Sequence, residues 1–145
     1  MIRRFGESIR PSITYKYRPG AYAILARNGM VLLTYQAAPK PEYQLPGGGI
    51  DSGEQTLPAL HREVLEETGW HIGGCRRVGA YRRFTYMEEY DLWAEKLCHI
   101  YSARPHSRVG QPTEDDHTAI WTTPDDAVAL LANEGDAIFL ANVLL

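Results

Sequence analysis

The chain has 145 residues, 44% of them apolar and 23% charged, which suits one domain with a single core and needs no disulfide staple. Its formal net charge of −3 leaves no basic footprint for duplex nucleic acid or an anionic membrane. An acidic protein that handles polyphosphates would need a metal to offset the repulsion.

Met1-Ile2-Arg3-Arg4-Phe5-Gly6-Glu7 has no apolar stretch after its basic pair, so no secretory signal is expected. No apolar run approaches the roughly 20 residues that span a bilayer. Tyr22–Ala26 and Val31–Tyr35 are apolar runs separated by Asn28-Gly29, a pair that accepts the positive φ of a tight hairpin turn. A glycine-rich loop follows, Leu45-Pro46-Gly47-Gly48-Gly49-Ile50-Asp51-Ser52-Gly53. Thr56 is the expected N-cap of a helix, with Pro58 in its first turn. Leu57, Leu60 and Val64 share one helical face, and Gly69 is the expected C-cap. A second strand pair is expected over residues 76–86 and 90–103, turning at Met87-Glu88-Glu89. Two short helices, 124–133 and 136–145, close the chain. Strands, helix, strands, helices: the order predicts an α/β domain with helices packed on a mixed sheet. No linker divides residues 1–145, which read as a single domain.

The first long helix carries Glu63, Glu66 and Glu67 in its last turns. At about 100° per residue the three fall within roughly a third of the circumference. Like charges at these spacings repel by ~0.2–0.5 kcal/mol per pair, and they sit at the negative end of the helix dipole. A solvated acidic face is the bland alternative. A hard divalent cation is the functional one, because Mg²⁺ prefers a few carboxylates together with substrate phosphates.

The cluster belongs to a longer pattern. Gly48, five residues, Glu54, seven residues, then Arg62-Glu63-Val64-Leu65-Glu66-Glu67-Thr68-Gly69-Trp70 resembles the Nudix box of the MutT-like Nudix hydrolases. Trp70 departs from the Ile, Leu or Val usual there. The resemblance implies an α/β/α sandwich with a mixed sheet. It also implies hydrolysis of a phosphoanhydride bond in a nucleoside diphosphate linked to another group, of the nucleoside triphosphate or dinucleoside polyphosphate type. The cofactor implied is Mg²⁺ or Mn²⁺, held by Glu63, Glu66 and Glu67 with the carbonyl of Gly47. Glu63, Glu66 and Arg62 are the implied catalytic set, with Glu54 and Gly48 in support. The general base is either Glu63 or Glu66, or an acid of Glu114-Asp115-Asp116-His117, where Glu114 also resembles an extra metal ligand. The alternative is a catalytically inactive Nudix-fold nucleotide-binding or regulatory domain.

Substrate contacts are weaker in the letters. Tyr86 stands sixteen residues past Trp70, where the resemblance places a base-stacking Tyr in dinucleoside polyphosphate hydrolases. Tyr43, Tyr15, Tyr17 and Arg18 are further candidates for a base or phosphate pocket, and Arg82 and Arg83 for distal phosphates. Gly48 and Gly53 have the glycine spacing of a P-loop, but Glu54 stands where its Lys is required. Cys75 and Cys98 show no metal or CxxC spacing and are expected as reduced thiols of a cytoplasmic protein. The expected partner is a small nucleotide; a homodimer is left open.

Overall fold

The computed structural model describes residues 2–145. Its strands are β1 (Arg3–Gly6), β2 (Lys16–Arg27), β3 (Met30–Gln36), β4 (Glu42–Gln44), β5 (Gly47–Gly49), β6 (Trp70–Met87), β7 (Leu92–Arg108) and β8 (His117–Thr122). The helices are α1 (Thr56–Thr68), α2 (Pro124–Leu130) and α3 (Glu134–Leu144). Strand order is β1-β6-β7-β2-β3-β4, with β5 on β2 and β8 on β3. β1–β6 and β2–β7 are parallel and the remaining pairs antiparallel, so the sheet is mixed, as expected.

The Asn28-Gly29 turn forms, with φ of 54° and 76°. Beyond it β2 and β3 stay paired only at Ala26–Val31 and Arg27–Met30. Past that point β2 runs parallel to β7 from Lys16 to Leu25, while β3 takes β4 and β8 as neighbours. The parting leaves room for α1, whose Leu60 and Val64 pack with Ala21, Ala23, Leu25, Leu32 and Ile72. On the other face Leu140 of α3 and Ala127 of α2 meet Ile24, Val31, Leu33, Tyr81 and Ile100. Helices therefore cover both sides of the sheet. Among the described residues no helix is long and apolar enough to cross a membrane.

Several boundaries differ from expectation. Gln55, not Thr56, is the N-cap of α1, in an extended conformation and without a side-chain cap bond. Leu57 is 40% exposed; it lies about 60° round the helix from Leu60, at the margin of the buried stripe. β6 begins at Trp70, directly after the helix, and β7 runs on to Arg108. Their turn is a short 3-10 segment, Glu88–Tyr90, closed by Asp91 at φ 49°. Asp tolerates that left-handed conformation where a Gly was lacking. α2 stops at Leu130 because Leu131 bridges to Tyr43. α3 starts at Glu134, since the side chain of Asn133 accepts from the Gly135 N–H at 3.0 Å.

Candidate active site

Three consecutive glycines have poor strand propensity, yet β5 pairs with β2 through Gly20–Gly49, Ala21–Gly48 and Tyr22–Gly47. The reason is closeness. A Cβ on Gly47, at φ 147°, would lie 2.2 Å from the Ala21 carbonyl oxygen, and one on Gly48 would lie 2.5 Å from the Glu63 carboxyl group. Only bare backbone lets α1 press its acids against this strand.

Glu67 is 5% exposed, and its Oε1 accepts from the Gly47 N–H at 3.0 Å. Burial pushes its carboxyl well above the usual range, and repulsion from Glu63, Glu114 and Glu66 adds to the rise. Glu63 is raised as well, by burial first, against the attraction of Arg62. His117 does little to relieve Glu67. Its Nδ1 lies 3.7 Å from Glu67 Oε2 but 2.9 Å from Thr34 Oγ1, and burial lowers its pKa, which keeps the imidazole neutral at pH 7.

Arg62 organises the outer side of the cluster. Its Nε and Nη2 donate to both oxygens of Glu54, each at 2.8 Å, and its Nη1 reaches Glu63 Oε1 at 3.0 Å and Glu66 Oε2 at 3.4 Å. Glu54 also accepts from the Asp51 N–H at 3.0 Å. The guanidinium fork holds the Glu54 carboxyl down at about 2. A fixed, charged Glu54 fixes Arg62 in turn, and Arg62 sets the rotamers of Glu63 and Glu66.

The segment after β7 seals the end of α1. Thr113 and Glu114 donate their N–H groups to the Glu66 carbonyl at 2.7 and 2.9 Å, and Val109 donates to Gly69 O at 2.7 Å. Gly69 is the C-cap at φ 77°, and a Cβ there would lie 2.0 Å from Gly110 O. These main-chain bonds satisfy helix carbonyls that would otherwise be orphaned and bring Glu114 to the acids.

A cavity of about 550 Å³ opens over the cluster, lined at one end by Gly47, Gly48, Glu63, Glu67 and Glu114. Tyr43 and Tyr86 also line it. Tyr43 tilts against Tyr35 at 4.9 Å, and the Tyr86 hydroxyl donates to Asp91. Glu66, Arg62 and Glu54 stand behind the cavity wall and not on it. Arg82 is elsewhere: it pairs with Glu95 at 3.5 Å and lies over Phe84. The next residue, Arg83, lines the cavity instead. Tyr15 packs on Phe84 and Trp93, and Arg18 covers Tyr90, so neither forms part of the wall. His117, the end of the acidic stretch, lines the cavity, as do Tyr22, Lys96 and Asp136, which the letters did not single out. Their strand phase and the fold of α3 bring them there, and no local motif marks them. Both cysteines are free, Cys98 buried and Cys75 partly so.

The donors at the acidic end are all oxygen, and Glu67 has no charged partner among the described residues. Two of the carboxylates are disfavoured as charges by burial. A hard divalent cation fits that set. Among the described residues, however, no three acidic, His or Cys side chains already close round a common centre. Water and substrate oxygens would complete the shell.

The comparisons agree with this geometry. Residues 16–143 match the family model described as NUDIX domain. A Bacillus subtilis (strain 168) protein, provisionally named 8-oxo-dGTP diphosphatase, is 34% identical over 77 residues, covering 53% of this chain and 52% of its own length. An RNA pyrophosphohydrolase of Sphingopyxis alaskensis is 44% identical over 78 residues, covering 52% of this chain and 48% of its own. The chain thus spans about half the length of the curated relatives it matches. Among solved structures, a NUDIX hydrolase from Nitrosomonas europaea superposes with a TM-score of 0.73 at 19% identity over 88% of each chain. A MutT NUDIX hydrolase from Burkholderia pseudomallei does so at 0.69 and 23%, over 88% of this chain and 98% of its own. These structures share the fold. With the family model matched over residues 16–143 and the motif residues gathered on and behind one cavity wall, this chain belongs to the NUDIX domain family.

Proposed function

We propose that the protein hydrolyses a phosphoanhydride bond in a nucleoside diphosphate linked to another group, with Mg²⁺ or Mn²⁺ as cofactor. One observation carries the reading: Glu67 is buried beside Glu63, held by a backbone N–H, and left without a cationic side chain of its own. Glu63 and Glu67, with the Gly47 carbonyl, would hold the cation. When bound, it supplies charge neutralisation on the phosphates and a more acidic water.

The chain's own groups do the rest. Arg62 keeps Glu63 and Glu66 in place through its bond to Glu54. Glu63 is tied to Arg62 and Glu67 to Gly47, whereas the carboxylate of Glu114 faces the cavity on a backbone already anchored to α1. We assign Glu114 the role of general base that takes the proton of the attacking water. Glu66, off the cavity wall, acts through Arg62 and through the loop bound to its carbonyl. Tyr43 and Tyr86 are assigned to the base, which aromatic faces stack. All these residues come from one chain. Two free thiols suit a reducing cytoplasm.

The names of the relatives direct the substrate panel toward nucleoside triphosphates, 8-oxo-dGTP included, and RNA. The test is product release across that panel, with dinucleoside polyphosphates and nucleotide sugars added, in Mg²⁺ and Mn²⁺. Metal-dependent turnover of at least one class is expected. Nucleotide binding without any turnover would favour the inactive binding domain instead.

A further inference from the structure

The same cavity has a second charged end. In the β6–β7 pairing Arg83 stands directly opposite Lys96, and both line the cavity with Tyr22 and Asp136. Like charges directly opposite across a strand pair are destabilising. The contrast with the neighbouring residue is informative. Arg82, on the other face, is given Glu95 at 3.5 Å. The ion pairs among the described residues involve Arg62, Arg82 and His117; Lys96 and Arg83 take part in none. Asp136 lines the same end and accepts from the Tyr81 hydroxyl at 2.5 Å; burial raises its pKa, while the attraction of Lys96 and Arg83 acts the other way, so one buried carboxyl faces two cations.

Tyr22 lies between the two ends. A Cβ on Gly47 would be 2.9 Å from its ring, and the Lys96 ammonium is 5.8 Å from the ring centroid. One tyrosine side chain, itself hydrogen-bonded to Lys96, thus separates the strand that backs the acids from two cations that form no ion pair among the described residues.

We propose that Lys96 and Arg83 form an anion subsite that takes a phosphate lying beyond those held at the acidic end. The subsite thereby selects a chain of three phosphates over a diphosphate joined to a neutral sugar. Guanidinium and ammonium donors make charge-assisted bonds to phosphate oxygens, and the anion removes the repulsion between the two strands. This deepens the hydrolase reading and rests on it for orientation.

The experiment begins without metal. Inorganic tripolyphosphate is titrated into the full chain in chelator, and backbone amide NMR shifts are followed. Saturable shifts are expected at residues 81–85 and 94–98. Lys96→Met and Arg83→Met should each weaken binding about tenfold or more, Lys96→Arg should restore it, and Arg77→Met, which removes an exposed cation elsewhere, should leave it unchanged. The spectra report folding of each variant, and Arg83→Met reads the subsite even if Lys96→Met unfolds. In steady state with metal, KM for a nucleoside triphosphate should rise about tenfold in Lys96→Met, while that for a nucleoside diphosphate sugar moves less than about twofold. Equal binding by wild type and variants, equal loss in Arg77→Met, or equal KM changes for both substrates would overturn the proposal. If the wild type turns over no class of the substrate panel, the hydrolase reading fails, while the metal-free titration still decides the subsite.

Discussion

Glu67 accepts a hydrogen bond from the Gly47 N–H at 3.0 Å while only 5% exposed, so this buried acid of the α1 cluster is fixed by main chain and not by a cation. Replacing it with Gln keeps the shape and the acceptor but removes the charge. Glu67→Gln is expected to lower kcat/KM by about 10³-fold or more, roughly 4 kcal/mol of transition-state stabilisation. Mg²⁺ should raise the Tm of the wild type by mass action and leave that of the variant nearly unmoved. A variant that kept wild-type turnover and metal response would remove Glu67 from the site.

The stability of the metal-free protein should depend on pH through the same carboxyl group. Its folded pKa is raised above the ordinary 4.5, so the folded state binds more protons than the unfolded one, and stability falls as pH rises from about 4.5 through the raised value. Glu54 acts oppositely. Held at about 2, it contributes stability above 4.5 that is lost as pH falls toward 2. His117, with a lowered pKa, adds stability as pH rises through the ordinary histidine range. Comparing wild type with Glu67→Gln isolates the first effect. Their Tm difference, measured in chelator, should shift in favour of the variant between pH 5 and 8. A constant difference would contradict the assignment.

Arg62→Lys keeps a positive charge and loses the fork. Lysine cannot donate to both oxygens of Glu54 and still reach Glu63. A loss of about 10–100-fold in activity or metal affinity is expected, with the Glu54 carboxyl returning toward its ordinary range. Carboxyl titration by NMR, together with a metal-binding isotherm, checks both parts.

Gly47→Ala and Gly48→Ala should fail differently. At Gly47 the new Cβ meets the Ala21 carbonyl, in a strained φ, and folding stability should drop by about 2 kcal/mol or more. At Gly48 it meets the Glu63 carboxyl group, a side chain that can move. Stability should change little there while activity falls about 100-fold or more. Denaturant melts set against steady-state rates distinguish the two.

What was legible in the letters was contiguous. The spacing from Gly48 in β5 to Trp70 at the start of β6 spans one loop and one helix, and the Asn28-Gly29 turn is a local signal. Strand phase across long pairings was not legible. Whether Arg82 or Arg83 faces the cavity depends on the β6–β7 register, which shifts at His71/Ile72, Gly73/Arg76 and Arg77/Gly79. Each shift of one residue exchanges the faces. β5 escaped notice because three glycines carry no strand pattern, and its pairing is dictated by what packs against it. Asp136 and Lys96 had no motif to mark them.

The docking of the 109–114 segment on α1 has an evolutionary corollary. The bonds that seat it run from main-chain N–H groups to the carbonyls of Glu66 and Gly69, and a Cβ on Gly110 would meet open space. Side chains at 110–113 can therefore drift, proline at 113 excepted because its N–H is used, while Glu114 keeps its station.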